Sequence, residues 1–331
     1  MRTPSVAILG TGSYLPKDEV HNEEVAARVG VDPDWIDTRT QIRTRRYAAP
    51  HEATSDLAAS AAEQALRHAG TDPDEIDYLI LSTSTPDAPL PSTACVVQDL
   101  IGARNAAAFD VNIACSGFVY ALALADGLLA RRPGTRALVV AADIYSRVLD
   151  FQDRRTAVLL GDGAGAAVLG AADGGGLCGF KLVADGAARD LIWIDAGGSR
   201  RPASARTVAD GSHYLRMQGR RVSEFVVDRV PATIAALLAE ERLPAAQVDH
   251  FVPHQANGVL VAELPGRCGL TAAATHRTVE RYGNIGSASV PVTLDVANRA
   301  GLLHDGQSVV LAGFGAGMSV GAALLRWTAT R

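Results

Sequence analysis

The sequence of 331 residues has only four cysteines and carries no excess of positive charge. No two of the cysteines, Cys95, Cys115, Cys178 and Cys268, form a C-x-x-C pair, and they are too sparse for a disulfide scaffold. We therefore expect free thiols in a cytoplasmic protein that holds no metal ion. A formal net charge of −5 leaves no basic field for nucleic acid, so no nucleic-acid partner is expected.

Two kinds of targeting segment are also missing. The N-terminus lacks the basic region, apolar core and cleavage site of a signal peptide. No uninterrupted apolar run reaches the length of a membrane span, and the longest candidate, 157–172, is broken by Gly161, Asp162 and Gly163. We therefore expect no membrane contact. The 48% of hydrophobic residues is enough for one large core or for two fused domains.

Cys115 lies in the segment DVNIACSGF, between a strand-like run and a long Ala- and Leu-rich segment that is typical of a buried helix. A thiol at a helix start meets unpaired backbone N–H groups and the positive end of the helix dipole, and both favour the thiolate. Because the thiolate is the nucleophile, this position predicts covalent catalysis on an acyl group with a lowered thiol pKa. The alternative is a small buried hydrophobic residue.

Repeated segments at one offset indicate two similar halves. Three pairs lie 172 residues apart, beginning at Asn112 and Asn284, at Asp77 and Asp249, and at Ala137 and Val309. A fourth pair, GDGAGAAVLG from Gly161 and GFGAGMSVGA from Gly313, has an offset of 152. The difference between the two offsets predicts an insertion of about 20 residues in the first half, at about 142–160.

Alternating strand-like and amphipathic stretches predict an α/β fold with mostly parallel sheets covered by helices. A glycine run predicts a boundary between an N-terminal half, 1–174, and a C-terminal half, 175–331. Since the counterpart of Cys115 is a serine, one active site between the halves is expected. His254 and Asn284 from the second half would complete it, because cysteine with histidine and asparagine is a workable set for acyl chemistry.

The chain resembles the thiolase superfamily and, within it, β-ketoacyl-acyl-carrier-protein synthase III (ketosynthase III), nearly from end to end. The resemblance is carried by WIDTRTQIRTRR from Trp35, ACSGF around Cys115, DRRT from Asp153, GDGAGA from Gly161, HQAN from His254, GNIGSAS from Gly283 and GFGAG from Gly313. It implies a thiolase-like fold of two pseudo-symmetric halves, each with a mixed, mostly parallel sheet, in α-β-α-β-α layers. It also implies a homodimer.

The resemblance implies a reaction in two steps. Cys115 would take an acyl group from acyl-CoA, and a malonyl group, in this family on an acyl carrier protein, would lose CO2 and attack it. His254 and Asn284 would donate hydrogen bonds to the resulting enolate. Backbone N–H groups of Cys115, Gly315 and Ala316 would stabilise the oxyanions. The coenzyme A thioester is a substrate here, and no cofactor is expected.

The resemblance also implies binding residues for coenzyme A and for the acyl chain. Trp35 and Arg154 would sandwich adenine, Arg39 and Thr40 would lie near the nucleotide, Asn257 would contact the pantetheine arm, and Leu90 would reach across the dimer interface into the partner's acyl pocket. A medium-sized aliphatic residue at position 90 favours a short or modest acyl chain.

Two departures from the family pattern concern ligand binding. Gln41 stands where family members typically have glycine, and the basic patch that docks a carrier protein is thin. Arg220 and Arg221 are soon followed by Glu224, and after HQAN no positive charge comes before Arg267. Because carrier proteins dock through complementary charge, the thin patch puts a carrier-protein acceptor in doubt.

Three functions are therefore compatible with the sequence. Decarboxylating condensation is favoured by Asn284, since such a site needs two hydrogen-bond donors rather than a carboxylate base. Acyl transfer from Cys115 to a hydroxyl or amine of a small molecule is favoured by the thin patch. A non-catalytic thiolase-like partner subunit is opposed by the intact set of cysteine, histidine and asparagine.

Overall fold

The computed structural model describes residues 5–328. Strands and helices follow one another along its first half. The elements of this half are β1 (Ser5–Tyr14), β2 (Asp18–His21), α1 (Asn22–Val29), α2 (Pro33–Thr40), β3 (Thr44–Tyr47), α3 (Thr54–Ala69), β4 (Tyr78–Ser82), α4 (Thr93–Leu100), β5 (Ala107–Val111), α5 (Gly117–Arg131), β6 (Ala137–Ile144) and β7 (Asp162–Ala172).

The second half repeats this order with shorter peripheral elements. Its elements are β8 (Gly176–Ala184), β9 (Ile192–Trp193), α6 (Ala205–Ala209), β10 (Arg216–Met217), α7 (Gly219–Glu240), β11 (His250–Pro253), α8 (Gly258–Arg267), β12 (Ala274–Thr275), α9 (Val279–Tyr282), α10 (Ser289–Arg299), β13 (Ser308–Gly315) and β14 (Ser319–Arg326). The chain passes from the first sheet to the second between β7 and β8, and the predicted boundary at 174 lies in this link.

Each half contributes one five-stranded mixed sheet. The strand orders are β1-β7-β6-β4-β5 and β12-β11-β13-β14-β8. In each sheet four strands run in one direction, and only β7 or β14 runs against them. The prediction of mixed, mostly parallel sheets is therefore confirmed.

The helices form three layers around the two sheets. Helices α5 and α10 lie between the sheets, and their buried side chains share one core with residues of both sheets, among them Ile80 and Val252. The apolar residues of α5 are spread around much of its circumference because it packs on both sides. Helices α3 and α4 cover the first sheet, and α7 and α8 cover the second, which confirms the α-β-α-β-α arrangement.

Strand register supports the duplication. Tyr78 pairs with Ala137 in the first sheet, and His250 pairs with Val309 in the second. His250 comes 172 residues after Tyr78, and Val309 comes 172 residues after Ala137. A short 3₁₀ turn precedes the central helix of each half, at Ala114–Ser116 and Gly286–Ala288, again with that offset. The two halves therefore place equivalent turns at the N-termini of α5 and α10.

The fourth predicted repeat is wrong in register. Gly161 precedes β7, whereas Gly313 lies within β13. The true offset is given by β7 and β14, the second strands of the two hairpins. Leu169 of β7 pairs with Ala137, and Leu325 of β14 pairs with Val309, so these strands are offset by 156. Runs of glycine and alanine match at several registers, which explains the error. The extra segment of the first half connects β6 to β7 at 145–161.

One helix is long and apolar enough to be compared with a membrane span, although it is not an uninterrupted apolar run. By length and composition alone, Ala114–Arg131 could cross a membrane, and half of it is buried inside the molecule. A search for an uninterrupted apolar run misses it because Asp126 lies within it. Its buried face packs in the core between the two sheets.

Candidate active site

Cys115 lies in the turn that precedes α5, where the backbone is unusually tight. Ala114 has φ of 43°, in the left-handed region that residues with a Cβ rarely adopt, and its counterpart Gly286 has φ of 59°. The end of β13 passes directly beside the thiol, since a Cβ placed on Gly315 would lie 2.8 Å from Cys115 Cβ and 3.0 Å from Sγ. A glycine is therefore needed for the backbone to approach the thiol.

His254 follows β11 and reaches the same region from the second sheet. Its backbone N–H donates to the carbonyl of Ala312 on β13 at 2.7 Å, and its ring packs edge-on against Phe314 with centroids 5.1 Å apart. The side chain is almost fully buried, and burial lowers the pKa of His254 to about 3, an effect only partly offset by the backbone of Gly286. The ring is therefore neutral at physiological pH and carries one N–H to donate.

Asn284 precedes the equivalent turn of the second half and is fixed by three hydrogen bonds. Its backbone N–H donates to Leu159 O at 2.8 Å, and its carbonyl accepts from Gly161 N at 3.0 Å. Its side-chain Oδ1 accepts from Gly286 N at 3.0 Å. Because the oxygen of the amide is engaged, the NH₂ group is the end that remains to donate to a ligand.

A cavity with two arms joins these residues. The apolar arm, about 250 Å³, is lined by Cys115 and Asn284 and by bulky groups that include Tyr145, Trp193 and Ile194. The helix arm, about 380 Å³, runs along α7 and α8 and is lined by Cys115, Asn284, His254, Gly315 and Asn257, among others. Cys115 and Asn284 line both arms and His254 lines the helix arm, so the structure brings the three to one cavity between the two halves.

The thiol of Cys115 does not have the lowered pKa that its position predicts. Burial, reinforced by the nearby carboxylate of Asp143, raises the pKa of Cys115 to about 12, although hydrogen bonding to Tyr145 acts in the opposite direction. The expectation is wrong because the thiol lies in the 3₁₀ turn before α5 and faces a cavity lined by protein. There the loss of contact with water raises the thiol pKa more than the helix start lowers it. Cys115 is a thiol, rather than a thiolate, at neutral pH.

Asp143 is a buried carboxylate at this site that the sequence motifs do not reveal. It accepts hydrogen bonds from Ser84 N at 2.7 Å and from both N and Oγ of Ser287 at 2.8 Å. Burial raises the pKa of Asp143 to about 6 despite these donors. Extending the 172-residue offset along β6 would have found it, because that offset relates Asp143 to Gly315 and Ser287 to Cys115.

The pair of Asp143 and Ser287 is the degenerate counterpart of Gly315 and Cys115. In the second half the N–H of the turn residue binds a carboxylate oxygen, which is an anion held at the N-terminus of a helix. In the first half the equivalent N–H belongs to Cys115, and Gly315 leaves space beside it. The geometry therefore fits the predicted binding of an oxyanion at the N–H of Cys115, with Gly315 and Ala316 on the adjoining hairpin.

The predicted coenzyme A residues are partly brought together. The guanidinium of Arg154 lies over the ring of Trp35, 5.7 Å from its centroid, and Arg39 is exposed on the same helix as Trp35. Thr40 is a correction. Its buried hydroxyl donates to Ile36 O at 2.6 Å and accepts from Ile42 N at 3.0 Å, so it terminates α2 and is not free to contact a nucleotide.

Asn257 and Leu90 have different positions relative to the cavity. Asn257 lines the helix arm and is also the N-cap of α8, where its Oδ1 accepts from Leu260 N at 2.9 Å. Leu90 is 85% exposed and lines neither arm of its own subunit. The four cysteines are free thiols, as expected.

Comparisons with known proteins agree with this geometry. Residues 109–186 match the family model 3-oxoacyl-[acyl-carrier-protein (ACP)] synthase III, and residues 238–327 match the model of its C-terminal part. The chain is 49% identical to an acetoacetyl CoA synthase of Streptomyces sp. (strain CL190), over 97% of this chain and 98% of the relative. It is 43% identical to the β-ketoacyl-acyl-carrier-protein synthase III of Clostridioides difficile (strain 630), over 97% and 98%.

A solved structure gives the same result. The 3-oxoacyl-(acyl carrier protein) synthase III of Pseudomonas aeruginosa PAO1 superposes with a TM-score of 0.89 at 36% identity, covering 98% of each chain. Its fold agrees with the layers described above, and the sequence matches include the segments that hold Cys115, His254 and Asn284. The chain belongs to the β-ketoacyl-acyl-carrier-protein synthase III family of the thiolase superfamily.

Proposed function

We propose that this chain is a ketosynthase III-type acyltransferase that acts in the cytoplasm on coenzyme A thioesters. It loads an acyl group onto Cys115 and condenses it with a malonyl thioester to give a β-ketoacyl product, in fatty acid or polyketide initiation. The observation that carries this proposal is that Cys115, His254 and Asn284 line one cavity with two arms. One arm suits the acyl chain and the other suits the thioester arm of either substrate.

The loading step forms one thioester and breaks another. The sulfur of Cys115 attacks the acyl carbonyl, the bond to the coenzyme A sulfur breaks, and the thiol proton ends on that leaving sulfur. The oxyanion formed on the way would be stabilised by the N–H of Cys115, in the place where Ser287 N–H binds a carboxylate in the other half. Bulky groups in the apolar arm favour short acyl chains.

The condensation step uses the two donors of the second half. The malonyl carboxylate leaves as CO2, and the electrons of that bond form an enolate on the thioester. The neutral ring of His254 and the NH₂ group of Asn284 would donate to the enolate oxygen. The enolate carbon then attacks the acyl carbonyl on Cys115, whose sulfur leaves and takes a proton from water. A neutral histidine suits this role, since it stabilises negative charge without giving up a proton.

Intact-protein mass spectrometry with a panel of acyl-CoA donors tests the proposal. Acetyl-CoA and butyryl-CoA should each add one acyl group, and Cys115→Ala should abolish the addition. Malonyl thioester should then release CO2 and free the enzyme. Transfer to a hydroxyl or amine without CO2 would instead support a small-molecule acyltransferase. A wild-type protein that accepts no acyl group would support a non-catalytic partner subunit.

A second candidate concerns the acceptor, which we infer to be malonyl-CoA rather than a malonyl carrier protein. The arginines beside the helix arm are already neutralised, as seen in the ion pairs of Arg220 with Glu224 and of Arg267 with Glu263, each four residues apart. Arg221 donates to a glutamine oxygen three residues earlier. The two ion pairs reduce the positive charge that could attract an acidic carrier protein, while Arg221, bonded to a neutral glutamine, keeps its charge. A relative at 49% identity is named for a coenzyme A product.

The nucleotide end of the site provides the test of the acceptor. If both substrates are coenzyme A thioesters, they enter past Trp35 and Arg154 in turn, and the two groups separate to admit the adenine. Arg154→Ala should then raise KM for acyl-CoA and for malonyl-CoA alike, while the exposed Arg206→Ala control changes neither. A carrier-protein acceptor predicts faster turnover with malonyl carrier protein and an effect of Arg154→Ala on the loading step only.

The homodimer belongs to the same proposal. Leu90 is 85% exposed and does not line its own cavity, while the lining of the apolar arm includes Asn112, which is exposed. These two facts support a second copy whose Leu90 covers the arm at Asn112. Light scattering should give the mass of a dimer, and Leu90→Ala should extend the accepted acyl chains without loss of loading.

A further inference from the structure

Gln41 holds an unusual backbone conformation at the end of α2. Its φ is 56° and its ψ is 22°, in the left-handed region that glycine adopts without strain and that residues with a Cβ generally avoid. Its N–H donates to Asp37 O at 2.7 Å and so closes the helix. The family resemblance places glycine at this position, so the backbone needs no side chain here. The side chain of Gln41 therefore requires a separate explanation.

The side chain of Gln41 makes contacts that a glycine could not provide. Its Oε1 accepts a hydrogen bond from Arg277 Nη2 at 2.6 Å, and Arg277 also pairs with Glu280 at 2.5 Å. It covers Gly258, the first residue of α8, so closely that a Cβ on Gly258 would lie 2.5 Å from Gln41 Cβ and 2.8 Å from its Oε1. Gln41 thus joins the end of α2 to the start of α8 and to the segment before α9.

These contacts join the two parts of the coenzyme A site. Helix α2 carries Trp35 and Arg39, which belong to the nucleotide end, and α8 begins after Asn257, which lines the helix arm. The two helices contact each other, and Gln41 lies at that contact. Gln41 is therefore one of the contacts that set the spacing between the adenine stack and the thioester arm.

We propose that Gln41 is a positioning residue that holds the nucleotide-binding helix α2 against α8 and so lowers the dissociation constant for coenzyme A thioesters. This inference rests on the proposed function for the identity of the ligand. Gln41 is not among the residues that line either arm of the cavity. It acts through the relative position of Trp35 and Asn257, and the strained backbone is retained because the side chain supplies this contact.

The test compares Gln41→Gly with wild type in direct binding of coenzyme A by calorimetry. Gln41→Gly should raise the Kd for coenzyme A about tenfold, which corresponds to about 1.4 kcal/mol. The thermal midpoint should not fall, because glycine relieves the left-handed backbone. KM for acyl-CoA should rise in parallel, with the loading rate at saturation unchanged.

Two controls separate positioning from a general structural effect. Acyl-pantetheine lacks the nucleotide, so its KM should be the same for Gln41→Gly and wild type. Gln41→Glu keeps an acceptor for Arg277 and should restore coenzyme A binding. An unchanged Kd for coenzyme A in Gln41→Gly, or an equal rise in KM for acyl-pantetheine, overturns the inference. Failure of the wild type to load any acyl group, with coenzyme A still bound, would overturn the proposed function alone.

Discussion

The reactivity of Cys115 is set by a balance between a helix start and loss of water. Because its pKa is raised to about 12, the thiolate fraction is small at neutral pH and grows as the pH rises. Alkylation of Cys115 by iodoacetamide should accelerate about tenfold per pH unit between about pH 6 and pH 9. Peptide mass spectrometry follows the modified residue, and Cys115→Ser identifies its signal.

The same profile tests the charge state of His254. With a pKa lowered to about 3, His254 stays neutral across that range and should introduce no inflection near pH 6.5. A plateau of the alkylation rate reached by about pH 7 would contradict the raised pKa of the thiol, since it would mean a thiolate already formed at neutral pH.

Gly315 leaves no room for a side chain beside the thiol. Gly315→Ala would place a Cβ 2.8 Å from Cys115 Cβ and should displace the backbone that faces the oxyanion. We expect a loss of about 100-fold in the rate of acyl loading, the usual effect of removing one oxyanion donor. Gly186→Ala, at a position with open space around it, is the control. Equal loading rates in the two variants would show that Gly315 has no such role.

Prediction from sequence succeeds at those residues whose chemistry is written in short motifs. Cys115, His254 and Asn284 lie in segments specific enough to assign all three to one site from the sequence alone. Thr40 fails because its motif does not reveal that the hydroxyl is used to end a helix. Asp143 escapes notice because a carboxylate at the end of a buried strand has no motif, only a position in the repeat.

Among the elements, α8 begins at a side chain that caps the helix and also lines the cavity. Asn257 caps the helix through Oδ1, while its NH₂ group is left for the helix arm. Asn257→Asp keeps the cap and removes the donor, so it should keep the stability of wild type but raise KM for acyl-CoA. Asn257→Ala removes both and should also lower the free energy of unfolding by about 1 kcal/mol.

Urea denaturation and steady-state loading kinetics measure the two effects separately. If Asn257→Asp left KM unchanged, the side chain would be a helix cap and no more. The sequence could not distinguish these roles, because the motif HQAN is the same whether the asparagine binds a ligand, caps a helix or does both. Whether Asn257 caps a helix depends on the residue at which α8 begins. The end of β11 and the bend after it determine that residue.

At the scale of the whole molecule, the two halves are joined by polar contacts as well as by the core. Asp295 on α10 is buried and accepts hydrogen bonds from Thr11 Oγ1 at 2.8 Å and Ser13 Oγ at 2.6 Å on β1, and from Arg299 Nε at 3.0 Å. Asp295→Ala should lower the free energy of unfolding by about 3 kcal/mol, because it leaves these donors without their acceptor.

Urea titrations followed by circular dichroism and by tryptophan fluorescence measure this loss. The two probes should give one coincident transition, since α5 and α10 share a core with both sheets. The exposed Asp173→Ala is the control and should leave the midpoint unchanged. Two separate transitions in wild type would contradict the common core of the halves.

The duplicated plan is predictable from sequence where the repeated segments differ in composition along their length. The offset of 172 holds through strands, turns and central helices. The offset of 172 no longer holds after β6. Small residues of the two halves can be aligned there in several registers, so the length of the extra segment 145–161 cannot be read from the sequence. Two hydrogen bonds place that segment, from Asn284 N to Leu159 O and from Gly161 N to Asn284 O, and no local pattern encodes them.

The carboxylate of Asp143 disfavours a nucleophile at position 287, the counterpart of Cys115. A cysteine introduced at Ser287 would stand beside a fixed negative charge, already bonded to the N–H that an oxyanion would require. A second active site would need glycine at 143, cysteine at 287 and, because the same offset relates His254 to Ser82, histidine at 82. The asymmetry between the halves thus depends on several positions at once, so no single substitution would give the second half a working nucleophile.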